Sequence, residues 1–420
     1  MLLEIESPVF EPQMPHNLEQ TGLSSSMVDD LLLKRLYAGG PQTAGSVADM
    51  LALPFLLVLS NLNELRRLHL THVVGSRGPG ERQYVYTLTD EGTDRALAAI
   101  ARNMYDGPAP VPLDAYIQSV HAQSVRDVVI TKQAIEQAFA ELVLHDEILR
   151  EIGPAVNAGQ SLFFYGAAGN GKTALASRIT RAMGSNVFVP YAVEFEGSII
   201  EFFDPVCHIR VDDLIGAHDP RWIRVKRPTV VVGGELKLEN LDLSFNPLRK
   251  TYEAPFQLKA NTGMFLIDDF GRQQMSPSDL LNRWIVPLEL RVDFLKLNSG
   301  RKLEVPFDEL LVLSSNLDPS SLIDEAFLRR IKYKVRARDP NREMFREIFV
   351  RACRDYRVPF DEEAFNFLVE THYLKAGRPF RGVHPRDLLD QLVALARYLE
   401  VPPRMTRDLL DSVVATYFLN

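Results

Sequence analysis

The sequence predicts an α/β fold, with a mainly parallel sheet at its core, a helical lid after that core and a small α+β domain before it. Three observations carry this prediction. Between about residues 118 and 335, short apolar runs alternate with helical periodicity; at one junction the loop GAAGNGKT separates an apolar run from a strong helix former; and beyond residue 339 helical periodicity dominates. A chain of 420 residues also exceeds what one ordinary core organises. The expected division is a flexible tail (1–25), a small domain (26–105), a linker (106–118), the α/β domain (119–337) and the lid (338–420).

Composition narrows the class. With 46% hydrophobic and 24% charged residues the chain reads as a soluble globular protein. A net charge of -8 opposes blanket binding to nucleic acid or an acidic membrane, while leaving a local basic patch open. Cys207 and Cys353 are far apart and offer neither a disulfide framework nor a zinc set. The start, MLLEIESPVFEPQMPH, is acidic and broken by proline, unlike a secretory signal. The apolar stretch 50–59 contains Pro54 and is too short to span a bilayer, so a cytoplasmic protein without direct membrane insertion is expected.

Helical spacing over 28–37, 43–51 and 54–69 is followed by strand patterns at 71–75 and 83–89, which flank the turn SRGPGE; LTDEG then opens a helix at Asp90. That order, ending in YVYTLTDEG, resembles a winged helix. In its DNA-binding use the third helix supplies side chains to a groove. Here PFLLVLSNLNELRRLHL offers Arg66, Arg67 and His69, and the reading divides between DNA binding and protein docking, with docking favoured. DGPAPVPLDAY then reads as a stiff, extended linker.

Chemistry enters with GAAGNGKT. Gly166, Ala167, Ala168, Gly169, Asn170 and Gly171 form a loop whose amides can face phosphate oxygens, Lys172 neutralises them, and the Thr173 hydroxyl suits magnesium. A strand over 161–165 and a helix over 174–183 supply the required setting. GMFLIDDFGR adds Asp268 as a metal-holding carboxylate and Asp269 as the group that polarises water. The DFG within it is a coincidence, because no H-R-D loop precedes it. ELLVLSSNLDP places Asn316 at another strand end, DEAFLRRI presents Arg329 and Arg330, and GVHPRDLLD offers Arg386 at a helix start.

From about residue 128 to the C-terminus, this succession resembles the AAA+ ATPase family. GAAGNGKT is similar to its Walker A motif and FLIDD to its Walker B motif. Asn316 resembles the sensor-1 position, Arg330 in RRI the trans-acting arginine finger, with Arg329 its alternative, and Arg386 the sensor-2 arginine. AFAELVLHDEILREI is similar to the segment that encloses adenine, which implies Leu142 and Val143 against the base. The resemblance implies ATP and Mg2+ as ligands, ATP hydrolysis, and a ring, usually hexameric, with sites between subunits. In one respect the chain departs from the pattern: Asp269 stands where the family usually has Glu, which leaves fast hydrolysis and a slow, mostly ATP-binding switch both open.

Between the two motifs lies a long segment, 184–262. In PRWIRVKRPTVVVGGELKL, strand alternation sets Trp222, Arg224 and Lys226 on one face, and Gly233-Gly234 is placed at a hairpin turn. This basic, aromatic strand reads as a contact to nucleic acid backbone or bases; equally, Trp222, Phe202 or Tyr252 read as grips on a polypeptide in a pore, and each of them also as a simple buried aromatic. VDFLKLNSGRKLEVPF predicts another hairpin, placed as in the pre-sensor-1 branch of the AAA+ proteins. The expected activity is remodelling or assembly of a protein complex around an unidentified protein client. The layout also resembles ATPases described alongside bacterial Flp-type pilus assembly. The alternatives are a DNA-binding regulator or DNA-remodelling motor, and a nucleotide-gated scaffold with little hydrolysis.

Overall fold

The computed structural model describes residues 10–211, 218–322 and 328–418. Helices α1 (Ser25–Gly39), α2 (Ala44–Met50) and α3 (Phe55–Arg67) come first, then strands β1 (Thr71–Ser76) and β2 (Tyr84–Leu88) and helix α4 (Asp90–Arg102). Ser24, Thr43 and Thr89 start α1, α2 and α4 by accepting first-turn amide hydrogens on their hydroxyls. β1 and β2 are antiparallel, and the pair Gln42–Thr43 adds to the other side of β2. Leu31, Leu32, Leu36, Leu57 and Leu62 fill the centre of this module. No single helix among the described residues is long and apolar enough to cross a membrane; α2 and α3 are apolar together, but bend by 119° and bury that surface here.

A parallel sheet organises the rest. Its spatial order is β9 (Thr229–Val232), β12 (Met264–Ile267), β15 (Leu310–Ser315), β4 (Leu162–Tyr165), β16 (Tyr333–Arg336). Each central strand is buried on both faces, which explains runs such as MFLI and LLVL without polar alternation. Helices α5 (Asp146–Asn157) and α6 (Lys172–Met183) cover one face through Ile148, Ile152, Leu175 and Ile179. The other is covered by α7 (Pro277–Leu290) through Leu280, Leu281 and Trp284. Register pairs Val232 with Ile267, Ile267 with Leu313 and Ser315 with Tyr165, so the residues after β4, β12 and β15 emerge on one edge. That edge is where open parallel sheets hold ligands.

Four helices form the lid: α8 (Arg342–Asp355), α9 (Glu362–Leu368), α10 (His384–Tyr398) and α11 (Arg407–Tyr417). Phe345, Phe349, Phe365, Leu388 and Leu410 make its separate core.

The segment 184–262 departs from one expectation and decides between the alternatives of another. Strand β8 (Trp222–Lys226) pairs back on β5 (Asn186–Pro190), while β9 runs in the central sheet beside β12 and no strand directly follows Gly233-Gly234, so the two glycines turn no hairpin. Trp222 is only 5% exposed, with its ring edge on Phe10 at 5.9 Å, and Phe202 and Tyr252 are buried as well. Packing has claimed all three aromatics. Strands β6 (Ala192–Phe195), β7 (Ser198–Glu201), β10 (Ser244–Asn246) and β11 (Thr251–Glu253) form a second sheet, which β3 (Val111–Pro112) joins alongside β6.

This junction corrects the tail and the linker. Residues 1–9 lie outside the described residues, but from residue 10 the supposed tail is built in: Asp219 donates its amide to Pro12 O, and Thr21 and Leu23 are buried. Within the linker, Ala109 and Val111 are fully buried. Arg221, buried and paired to Asp219 at 2.8 Å, donates to Thr21 O and Pro110 O and so clips both segments to the insertion. Of the run read as an extended linker, only Val111–Pro112 is strand and a helix begins at Leu113, while the Pro110 carbonyl is spent on this contact. Beyond the insertion, β13 (Val292–Lys296) and β14 (Lys302–Pro306) form the expected hairpin, with Gly300 at φ 87° in its turn. Leu295, Leu303 and Val305 face the insertion's core while Phe294, Lys296 and Lys302 are exposed.

Candidate active site

Gly166, Asp268 and Asn316 follow three adjacent strands, so the register described above brings GAAGNGKT, the aspartate pair and Asn316 together. The loop itself needs its glycines for two reasons. Gly166 has φ 139° and a Cβ there would lie 2.4 Å from Ala337 O; Gly169 has φ 83° and would meet Val383 at 2.6 Å. Close approach by the chain's own strand β16 and lid therefore excludes a side chain at both.

Lys172 opens α6 and folds back over the loop. Its Nζ donates to Gly166 O at 3.0 Å, to Ala167 O at 3.1 Å and to Asn316 Oδ1 at 2.8 Å. Burial lowers its proton affinity below that of a free lysine, Asp268 and Asp269 pull it back up, and Arg381 adds to the lowering. Thr173 donates its hydroxyl to Asp268 Oδ2 at 2.5 Å. Two hard oxygen donors thus meet beside a cationic loop, a set that suits a magnesium ion sharing its shell with phosphate and water. Among the described residues no group of three or more His, Cys, Asp or Glu could hold a metal alone. Asn316 Nδ2 in turn donates to Asp269 Oδ1 at 2.8 Å. Asp269 has φ 49°, a left-handed backbone that Asp tolerates better than most residues.

Sequence reasoning missed the far side of the loop. Asn170 Nδ2 donates to Asp339 Oδ1 at 2.7 Å, and Arg381 also donates to that carboxylate. Val383 donates its amide to Gly169 O at 2.8 Å and Gly382 donates to Asn170 Oδ1 at 3.3 Å. The lid is thereby latched to the loop. Arg386, the expected lid arginine, stands on the exposed first turn of α10, whereas Arg381 is the lid cation that acts on Lys172. No spacing rule marks Arg381 or Asp339; only the "RG" just before the α10 start hints at a close approach.

Val143 lines a narrow crevice with Leu144, His145, Met344 and Ile348, between α5, the loop and the lid. Leu142 does not line it; half-buried, it packs against the core that α5 and α6 share with the sheet. The free space is about 30 Å³, room for one water. Arg329 and Arg330 lie before β16, at the opposite end of the sheet from the loop. The four residues of β16, at about 3.3 Å each, put that end of the sheet roughly 13 Å from the Gly166 edge, and Arg330 lies in the turn before it. Arg330 pairs with Glu289 of α7 at 2.5 Å, and Arg329 is exposed. The preceding residues 323–327, part of DEAFLRRI, lie outside the described residues.

His208, adjacent to Cys207, is no ligand. It is stacked between Phe202 and Phe203, accepts the Asp204 amide on Nδ1 and meets Lys259 O at 2.9 Å; burial pushes its pKa down to about 4.

Strand order, glycine loop and C-terminal helical lid together define a P-loop α/β fold of the AAA+ type. Residues 341–416, almost the whole lid, match a family model described as a domain of unknown function, DUF8689. No curated protein matches the chain in sequence. Among solved structures, NtrX from Brucella abortus in complex with ATP is similar at TM-score 0.43 and 13% identity over 68% of this chain; that match spans 58% of NtrX, less than two thirds of its length. The Thermotoga maritima RuvB Holliday junction branch migration motor is similar at TM-score 0.37 and 12% identity, over 68% of this chain and 70% of RuvB.

Proposed function

We propose that this chain binds Mg-ATP at the loop of residues 166–173 and hydrolyses it, using the nucleotide state to remodel or assemble a protein complex. The observation that carries the reading is the convergence of Lys172, Thr173, Asp268, Asp269 and Asn316 at one sheet edge through direct hydrogen bonds. Lys172 exchanges its loop carbonyls for phosphate oxygens. Thr173 and Asp268 are the residues to hold magnesium, which when bound offsets phosphate charge. Asp269 orients and deprotonates the attacking water, and Asn316 holds Asp269 in place.

Arg330, and Arg329 beside it, point the reading toward a ring. Arg330 is paired with Glu289 at the sheet end away from the loop, and in this reading it supplies the positive charge that phosphoryl transfer needs to the site of a second copy. The N-terminal module, shaped like a winged helix, serves as a docking domain for a protein client. Burial of Trp222 takes the aromatic away from the basic strand read as a nucleic-acid contact, and burial of Trp222, Phe202 and Tyr252 equally takes away the polypeptide grips. A second reading, a nucleotide-gated scaffold, is favoured by one observation: Asp269 is one methylene shorter than Glu and already engaged by Asn316.

Steady-state ATP turnover against protein concentration, with oligomer size followed in parallel, tests both. Specific activity that rises as rings form supports the motor. ATP-driven assembly with negligible turnover supports the scaffold, and absence of nucleotide binding removes both.

A further inference from the structure

We propose that Gln273 is the residue that positions Asp269, a role that rests on reading Asp269 as the group that activates water. After β12 the chain reverses through Asp268, Asp269, Phe270 and Gly271, with Asp269 at φ 49° and Gly271 at φ 100°. A left-handed backbone is disfavoured for an L-residue, for Asp less than for most, and contacts on either side of the turn help to hold it. Phe270 is pinned from one side: its amide donates to Ser314 O at 2.7 Å, its carbonyl accepts from Ser315 Oγ at 2.8 Å, and its ring is buried edge-on to Phe163.

Gln273 supplies the other side. Its Nε2 donates to Asp268 O at 3.0 Å, Asp269 O at 3.3 Å and Gly233 O at 3.4 Å, while its Oε1 accepts the Gly271 amide at 2.8 Å. Inverting the amide would set N–H against N–H and oxygen against three carbonyls, so the pattern permits one orientation. One side chain therefore ties the aspartate turn to the end of β9 and fixes the peptide planes on both sides of Asp269.

This matters because Asp269 is short. A glutamate could reach a water through several rotamers, but an aspartate places its carboxylate where its own Cα stands, and small displacements of a general base are costly. Gln273 touches neither carboxylate. It acts through the backbone, while Asn316 sets the carboxylate's remaining rotation.

The test uses the full chain with Gln273→Leu, Gln273→Glu and Asp269→Asn. Single-turnover ATP hydrolysis gives the chemical rate, calorimetry with a non-hydrolysable ATP analogue gives affinity, and a thermal melt checks the fold. Gln273→Leu is expected to lose at least about tenfold in rate, with affinity kept within about twofold and Tm preserved. Gln273→Glu, which sets a carboxylate against three carbonyls, should lose more. A Gln273→Leu rate equal to wild type, beside an inactive Asp269→Asn, overturns the proposal and leaves the reading of Asp269 standing. Rate, affinity and Tm falling together overturns it too, as a purely structural role. Equal rates in wild type and Asp269→Asn remove the reading of Asp269, and the proposal with it.

Discussion

Lys172 and Asp269 never touch, yet one side chain joins them: Asn316 accepts from Lys172 Nζ and donates to Asp269 Oδ1, both at 2.8 Å. The phosphate-facing cation and the carboxylate on the next strand are thus coupled through a single amide. Asn316→Ala severs both bonds at once. Turnover is expected to fall roughly a hundredfold, as for loss of one polar group aimed at a reacting centre. ATP affinity should change only a few-fold, and an unaltered rate in a stopped-flow assay would sink the coupling.

Lys172→Ala removes the charge that the loop itself now holds. Calorimetric ATP binding is expected to disappear. Undiminished affinity would strike out the phosphate-loop assignment.

Arg330 is paired with Glu289 in the single chain and lies at the sheet end away from the loop. Rings of Arg330→Ala or of Asp269→Asn alone are expected to be inactive, and mixing the two should restore part of the turnover. Mixed rings that stay inactive would count against action across an interface, and the same trial with Arg329→Ala decides between the two arginines.

Asp339 accepts from both Asn170 and Arg381, so Asp339→Ala opens the lid latch from both sides. With the Asp339 side chain 42% exposed, each such bond is worth about 0.2–1 kcal/mol. Faster hydrogen exchange at residues 381–383 is expected, with the lid's own core unaffected because Phe345, Phe365 and Leu388 pack elsewhere. Base entry into the closed crevice should also speed up, read as a higher association rate for a fluorescent nucleotide. Unchanged exchange would show that the latch contributes nothing.

Glu309 immediately precedes strand β15 and is fully buried, and neither carboxylate oxygen has a hydrogen-bond partner among the described residues. Burial pushes its pKa well above the ordinary 4.5, opposed by Arg291 and reinforced by Asp308 and Asp293. With the folded value raised, the stability it contributes is fully present below 4.5 and is lost as pH rises toward the folded value. Glu309→Gln is expected to reduce that loss, so its Tm relative to wild type should improve from pH 5 to pH 8. A constant Tm difference across that range would refute the buried-proton account.

The nucleotide loop, the aspartate pair and Asn316 were legible because each sits at a strand end and is announced by a buried apolar run beside it. Arg381, Asp339 and Gln273 carried no such flag. Arg381 and Asp339 are 42 positions apart and meet only because the lid folds back on the loop. Leu142 and Val143 show the limit of a local rule: adjacent residues of one segment, of which one faces the crevice and the other the core.

Trp222 makes the same point in the insertion. Alternation placed it correctly on one face of a strand, but which face becomes interior depended on Phe10 and Phe188 arriving from elsewhere. The proline-rich linker is strand only at Val111–Pro112 and helical from Leu113, and its Pro110 carbonyl is committed to Arg221, a residue more than a hundred positions away.

What the sequence determined by itself is what short-range physics encodes: the helix caps, the fully apolar strands of a parallel sheet, the glycine loop and the acids placed one residue beyond a strand. What only the tertiary structure decided is which distant groups share a partner. Lys172 with Asn316, Asp339 with Arg381 and Gln273 with Gly233 are contacts set by strand order and lid closure, and the energy of each depends on burial that no local window contains.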